Sequence, residues 1–121
     1  MRAEFEAMKT SAATQNIALY GKHDMAFHQA IADASGNKFF VWFVATANRV
    51  LFRELWKRPL HIDVESSLQR HEKILRTIEA KDCAAARAEM LNHLSYTSYF
   101  IDQSTLVDLS APGVGVRGIA L

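Results

Sequence analysis

From Met1 to Gln103, almost nothing in this chain stops a helix. Pro59 is the only proline in that stretch, while Pro112 and three of the five glycines fall after Ser104. Proline removes a backbone donor and clashes with the preceding turn, and glycine loses the most backbone entropy. Their scarcity leaves long helices unopposed. The intervening residues are rich in Ala, Leu, Glu, Lys, Arg and Met, all good helix formers. No alternating apolar and polar run of useful length marks a strand. The fold expected is all-α.

Apolar spacing and capping residues predict five helices. The first, near Arg2 to Ala18, is amphipathic but polar and weak. The second runs from Lys22 to Ala34, and Ser35-Gly36 ends it, Gly36 being suited to a left-handed cap. Asn37 is a good N-cap for the third, Lys38 to Lys57. That helix is apolar nearly all round, with Phe39, Phe40, Trp42, Phe43, Val44, Val50, Leu51, Leu55 and Trp56. Such a helix belongs at the centre of a bundle or in a subunit interface. Pro59 stops it. Asp63 caps the fourth helix, Val64 to Ala80, whose stripe holds Leu68, His71, Leu75 and Ile78. Asp82 caps the fifth, Cys83 to Asp102, where Ala86, Met90, His93, Thr97 and Phe100 share a face. Residues 1–103 then form one helical bundle, and 104–121 a loose tail.

A chain of 121 residues can bury one real core. Its net charge is +1, with lysines and arginines scattered, so no basic stripe tracks a phosphate backbone. The single cysteine, Cys83, excludes an intrachain disulfide and argues against a thiolate zinc site. Met1 to Lys9 carries mixed charge and does not read as a signal peptide. The most apolar run, Phe39 to Ala47, is too short to span a bilayer. A reduced, cytoplasmic protein without a membrane partner is expected.

The chemistry lies in the histidines. Asp24 and His28 are four residues apart, hence neighbours on one helix face, and Tyr20 and Ile31 turn that face inward. His71 and His93 each lie on the apolar stripe of a different helix. One carboxylate and three imidazoles thus face inward from three helices. Burying them unpartnered is expensive. A divalent metal relieves that cost, because neutral imidazole and carboxylate are natural ligands and bundle cores build sites this way. The pattern alone also fits hydrogen-bonded core histidines, and both readings stand on it.

Other metal chemistry fits worse. A zincin helix needs a histidine four after His71, where Leu75 stands. Ferritin-like sites need Glu three before each histidine, but Leu68 and Met90 occupy those positions. There is no nucleophile elbow and no phosphate-cradling glycine loop. Glu72 adjoins His71 but points off its face, so no spare general base for a metal-dependent enzyme is evident. His23 is turned about 100° from Asp24 and is expected to be exposed. His61 falls in the connection after Pro59, facing solvent. Cys83 and Asp82 read as structural, and Trp42 and Trp56 as core or interface.

The segment Asp24-Met-Ala-Phe-His28 through Ala34-Ser35-Gly36-Asn37 resembles the D-x-x-F-H and A-S-G-N signature of the FadR C-terminal domain family, found in GntR-type transcriptional regulators. His71 to Asp82 is similar to its H-x-x-I-L-x-A-I-x-x-x-D stretch, and Ala85 to Leu94 to its A-x-x-x-M-x-x-H-L. The resemblance runs from about Asp24 to Tyr99. It implies an antiparallel helical bundle with an internal cavity, working as a homodimer. It also implies that Asp24, His28, His71 and His93 hold a divalent cation, to which a small organic acid adds its carboxylate. Three imidazoles favour zinc or nickel, with manganese possible. The full ligand set argues against an acyl-CoA sensor. Arg49 and Arg53, four apart on the third helix, are candidates to clamp the rest of the acid; the bland reading is that they snorkel or pair with Glu54.

The chain departs from that family in one way. Its regulators carry a winged helix-turn-helix before the sensing domain, whereas the residues before Asp24 show no such motif. The sensing domain itself looks shortened at its N-terminus, and uncovered bundle surface would invite a partner chain. DNA binding is then expected only through a head domain outside this sequence. The function expected is effector sensing; the alternatives are a metal-dependent enzyme on a helical bundle and a metal-free dimerisation module.

Overall fold

A computed structural model describes the backbone of residues 1–55 and 63–105 and the side chains of residues 1–50 and 63–97. The described elements are five helices: α1 (Arg2–Ala13), α2 (Ile17–Ala34), α3 (Lys38–Leu55), α4 (Val64–Glu79) and α5 (Cys83–Thr105). The all-α expectation holds. His61 and Trp56 and the tail beyond residue 105 lie outside the described residues, as do the side chains of Arg53 and Phe100.

Capping chemistry sets most boundaries. Asp63 Oδ1 accepts from Ser66 N at 3.1 Å, and Asp82 Oδ1 from Ala85 N at 2.9 Å. Asn37 Oδ1 accepts from Phe39 N at 3.0 Å and opens α3. Each satisfies a backbone donor that the first helical turn leaves orphaned. Gly36 sits at φ +68, the left-handed conformation that glycine takes without steric cost.

The first boundary is corrected. α1 ends at Ala13, and α2 begins at Ile17 with Gly21 inside it. Asn16 caps α2 through a hydrogen bond from Leu19 N at 3.0 Å. Gln15, at φ 55, turns the chain so that Asn16 N reaches Ser11 O. The earlier start keeps Tyr20 on a helical turn, where its side chain is buried.

α1 packs on α2 and α4, α4 on α5, and α3 on α2. The core joins Phe5 and Met8 of α1, Tyr20 and Phe27 of α2, and Ile74 and Leu75 of α4. Leu68, Ile78, Ile31 and Met90 pack around it. The first helix is therefore a structural partner in the core, although its composition is polar. His23, expected in solvent, is half-buried and bonds Glu4 at 2.7 Å, because α1 runs alongside α2.

α3 is not central among the described elements. Phe39 is 79 % exposed, Phe43 69 % and Trp42 62 %. The central placement that its composition allowed is therefore not the one seen among the described residues.

Phe27 is fully buried and stands edge-on to His71, with ring centroids 5.2 Å apart. Removing it opens a cavity beside the histidines. Phe27→Ala is expected to destabilise the fold by about 3–5 kcal/mol in urea denaturation.

Candidate metal centre

Three helices bring His28, His71 and His93 to one place, and Asp24 reaches that cluster through His71. Asp24 and His28 lie on successive turns of α2, His71 on α4 and His93 on α5. His71 Nε2 stands 3.2 Å from His28 Nε2 and 2.8 Å from Asp24 Oδ1. His93 Nε2 stands 3.1 Å from His28 Nε2. His71 is fully buried, His93 nearly so, and Asp24 keeps 30 % of its side chain exposed. The centre is thus enclosed on the imidazole side and reachable on the carboxylate side.

Proton counting shows what this cluster lacks. His71 Nδ1 lies 2.7 Å from the Ser67 carbonyl oxygen, which can only accept, so Nδ1 carries a proton. In neutral His71 the Nε2 atom is then a bare lone pair. Yet it faces a carboxylate oxygen and another imidazole nitrogen at hydrogen-bond distance. Facing lone pairs repel, so something positive belongs between them: a proton or a metal ion. The spacing suits the ion. Ligand atoms about 2.0–2.1 Å from a cation, at angles of about 90–109°, lie about 2.9–3.4 Å apart. The nitrogen separations here fall inside that range. A carbonyl that fixes the tautomer of a ligating histidine is also the usual outer support of such a site.

Burial keeps His28 and His93 in their ligating form. Burial pushes His28 and His93 below the ordinary histidine value, with further lowering from His71, and His93 falls to about 3. For Asp24, burial raises the value, but the hydrogen bond from His71 and the neighbouring imidazole charges outweigh it, and the net shift is downward. Neutral His28 and His93 beside an ionised Asp24 are the protonation states that a divalent cation requires of them.

Of two supports, Tyr20 was legible as a stripe neighbour and Ser67 was not read from the sequence. Tyr20, four before Asp24, donates to the Ser67 hydroxyl at 2.7 Å; Ser67 is itself four before His71. Burial raises the Tyr20 phenol above its ordinary value, which keeps it a donor.

The predicted clamp residues stand apart from this cluster. Arg49 is exposed and lines a surface cleft between α2 and α3 with Met25, Ala26, Gln29, Ala45 and Asn48. That face of α2 is turned away from Asp24 and His28. The Arg53 side chain lies outside the described residues. Glu72 is ion-paired with Arg76 at 2.6 Å. Cys83 is a free, exposed thiol.

The family model described as the FCD domain matches residues 1–96. The chain belongs to the FCD domain family. The signature segments between Asp24 and Leu94 thus mark an FCD-type domain of a GntR-type regulator. Among curated proteins, it is similar to the HTH-type transcriptional regulator LutR of Bacillus subtilis (strain 168), 32 % identical over 80 residues. The match covers 61 % of this chain and 36 % of LutR, so the chain spans well under half of that relative. No solved structure matches. Family and relative both point to transcription regulation rather than to an enzyme. No described helix of this FCD domain is long and apolar enough to cross a membrane.

The lowered histidine values fix a pH dependence for the metal-free domain. The unfolded chain takes up protons near pH 6.5, whereas the folded cluster resists them. Stability is therefore fully present above about pH 6.5 and is lost progressively as pH falls towards the folded values. Melting temperatures in chelator from pH 8 to pH 5 are expected to fall below pH 6.5. In a His28→Gln/His93→Gln variant the curve is expected to flatten.

Proposed function

We propose that this FCD domain is the effector-sensing part of a transcriptional regulator, and that Asp24, His28, His71 and His93 hold one divalent cation to which a small organic acid binds. The observation that carries this reading is the cluster of His28, His71 and His93, with Nε2 of His28 3.2 Å from that of His71 and 3.1 Å from that of His93, and Asp24 2.8 Å from His71. Three nitrogen donors favour zinc or nickel, with manganese third. A cation held by four protein ligands supplies one or two open positions to an incoming carboxylate. Phe27, edge-on to His28 and His71, walls the imidazole side. The half-exposed Asp24 side is the route of entry. DNA binding belongs to a head domain outside this sequence, and the regulator works in the cytoplasm.

Metal content by plasma mass spectrometry is the direct test. The purified domain is expected to carry about one equivalent of zinc, nickel or manganese per chain, and a His71→Ala/His93→Ala variant none. No metal in the wild type, even after reconstitution, would refute the sensor reading and leave the histidines as structural groups.

The sensor works as a homodimer, joined through α3. Phe39, Phe40, Trp42, Phe43 and Val50 are all exposed there. Together they offer on the order of 600 Å² per chain, so two copies reach about the 1,200 Å² of a specific interface. Sedimentation equilibrium is expected to show a dimer for the wild type and a monomer for Trp42→Asp/Phe43→Asp. An unchanged dimer would place the contact elsewhere.

A further inference from the structure

α2 and α4 carry side chains that must meet at the centre. Yet among the described elements these two helices are not in direct backbone contact, and α1 packs on both. Side chains that reach across join them instead. The Tyr20 hydroxyl donates to Ser67 Oγ at 2.7 Å. One turn further along each helix, Asp24 Oδ1 lies 2.8 Å from His71 Nε2. The two contacts are successive rungs between the helices, about 5.4 Å apart along the axis. The second rung belongs to the ligand-type cluster, and so does the approach of His28 to His71. Among the described residues, the Tyr20 rung is the one hydrogen bond between α2 and α4 that involves no ligand-type side chain.

Three features suit that rung to hold the register. Both of its ends are buried, Tyr20 at 2 % exposure, so water does not compete for the bond. Both are neutral groups, so the bond persists with or without a cation, whereas Asp24 and His71 exchange each other for the metal. Burial, and after it the Asp24 charge, raise the phenol's value, so it stays a donor beside the carboxylate. Ser67 is also engaged twice. Its hydroxyl accepts from Tyr20, and its carbonyl accepts from His71 Nδ1 at 2.7 Å. The phenol therefore grips the same residue that sets the tautomer and ring angle of His71.

We propose that Tyr20 is a positioning residue for the cation. Its bond to Ser67 locks α2 against α4 in the register that brings Asp24 and His28 to His71. This rests on the metal reading above. Lone pairs gathered without a cation push the two helices apart, and the Tyr20 rung opposes that drift. The site then meets the metal already assembled, and preorganisation of this kind raises affinity without adding a contact. Tyr20 acts on the metal through Ser67 and the helix register and never touches it.

Cobalt(II) titration of the metal-free domain tests this, with affinity read by chelator competition and geometry by the visible absorption of the bound ion. Tyr20→Phe keeps the ring and loses the bond. It is expected to weaken cobalt binding about tenfold or more and to alter the spectrum, as loss of an outer support does. Ser67→Ala is expected to do the same, and the double variant no more than either single one, because both remove one bond. Ser67→Thr, which keeps the hydroxyl, is expected to restore most of the affinity. Met8→Val perturbs the core away from the rung. It is expected to lower the melting temperature while holding cobalt affinity within about threefold. Wild-type affinity and spectrum in folded Tyr20→Phe overturn the proposal and leave the metal site standing; if that variant does not fold, Ser67→Ala decides in its place. An equal loss of affinity in Met8→Val also overturns it, since general stability would then be the cause. A wild type that takes no cobalt brings down the underlying metal reading and this proposal with it.

Discussion

Everything in this fold depends on one constraint: imidazole lone pairs and a carboxylate that cannot face one another without a positive charge between them. His71 is fully buried with one nitrogen committed to the Ser67 carbonyl. Its other nitrogen can accept from a neutral His28 but also faces the Asp24 oxygen, which offers no hydrogen. A hydrophobic core tolerates such a cluster only if the charge count closes. The site and the core are the same packing problem, because Phe27 touches Phe5 on one side and His28 and His71 on the other.

Much of this was legible in the sequence. His28, His71 and His93 were found because helical periodicity places each on an inward stripe, and their ligand atoms come together in the structure, with Asp24 touching His71. Asn37, Asp63 and Asp82 announced three helix starts through capping chemistry, which is local and therefore readable. The start of α2 was missed for a physical reason. Gly21 reads as a breaker, but one glycine costs a helix interior only about 1 kcal/mol. The buried Tyr20 and the Asn16 cap outweigh that. The weight of α1 was also misread: its polar composition hides Phe5 and Met8, two core residues one helical turn apart.

The arginines expected to clamp an acid show where sequence reasoning stops. Arg49 and Arg53 looked suitable because they share a face of an apolar helix. Which neighbour that face meets is a tertiary fact, and Arg49 meets Met25 and Gln29. Arg70 drew no notice, since the Asn92 side chain it bonds and the Tyr96 ring it stacks on are more than twenty residues away in the chain. Those contacts appear only when α4 and α5 are side by side.

The packing order also says how a ligand at this centre would be felt at a distance. α2 is the shared element: one face carries Asp24 and His28, and another carries α3. Asn48 of α3 donates to the Met25 carbonyl at 3.2 Å, one residue from Asp24. Among the described elements, α3 packs on α2 alone, so a displacement of the Asp24 turn reaches α3 without passing through the core. In the proposed sensor, α3 is also the dimer surface. An acid that draws Asp24 towards the cation would therefore bias the pairing of subunits. It could do so only by its difference in affinity for the two arrangements. The exposed carboxylate side then has a reason beyond entry: in the proposed site, Asp24 is the ligand one residue from the Met25 carbonyl that α3 holds.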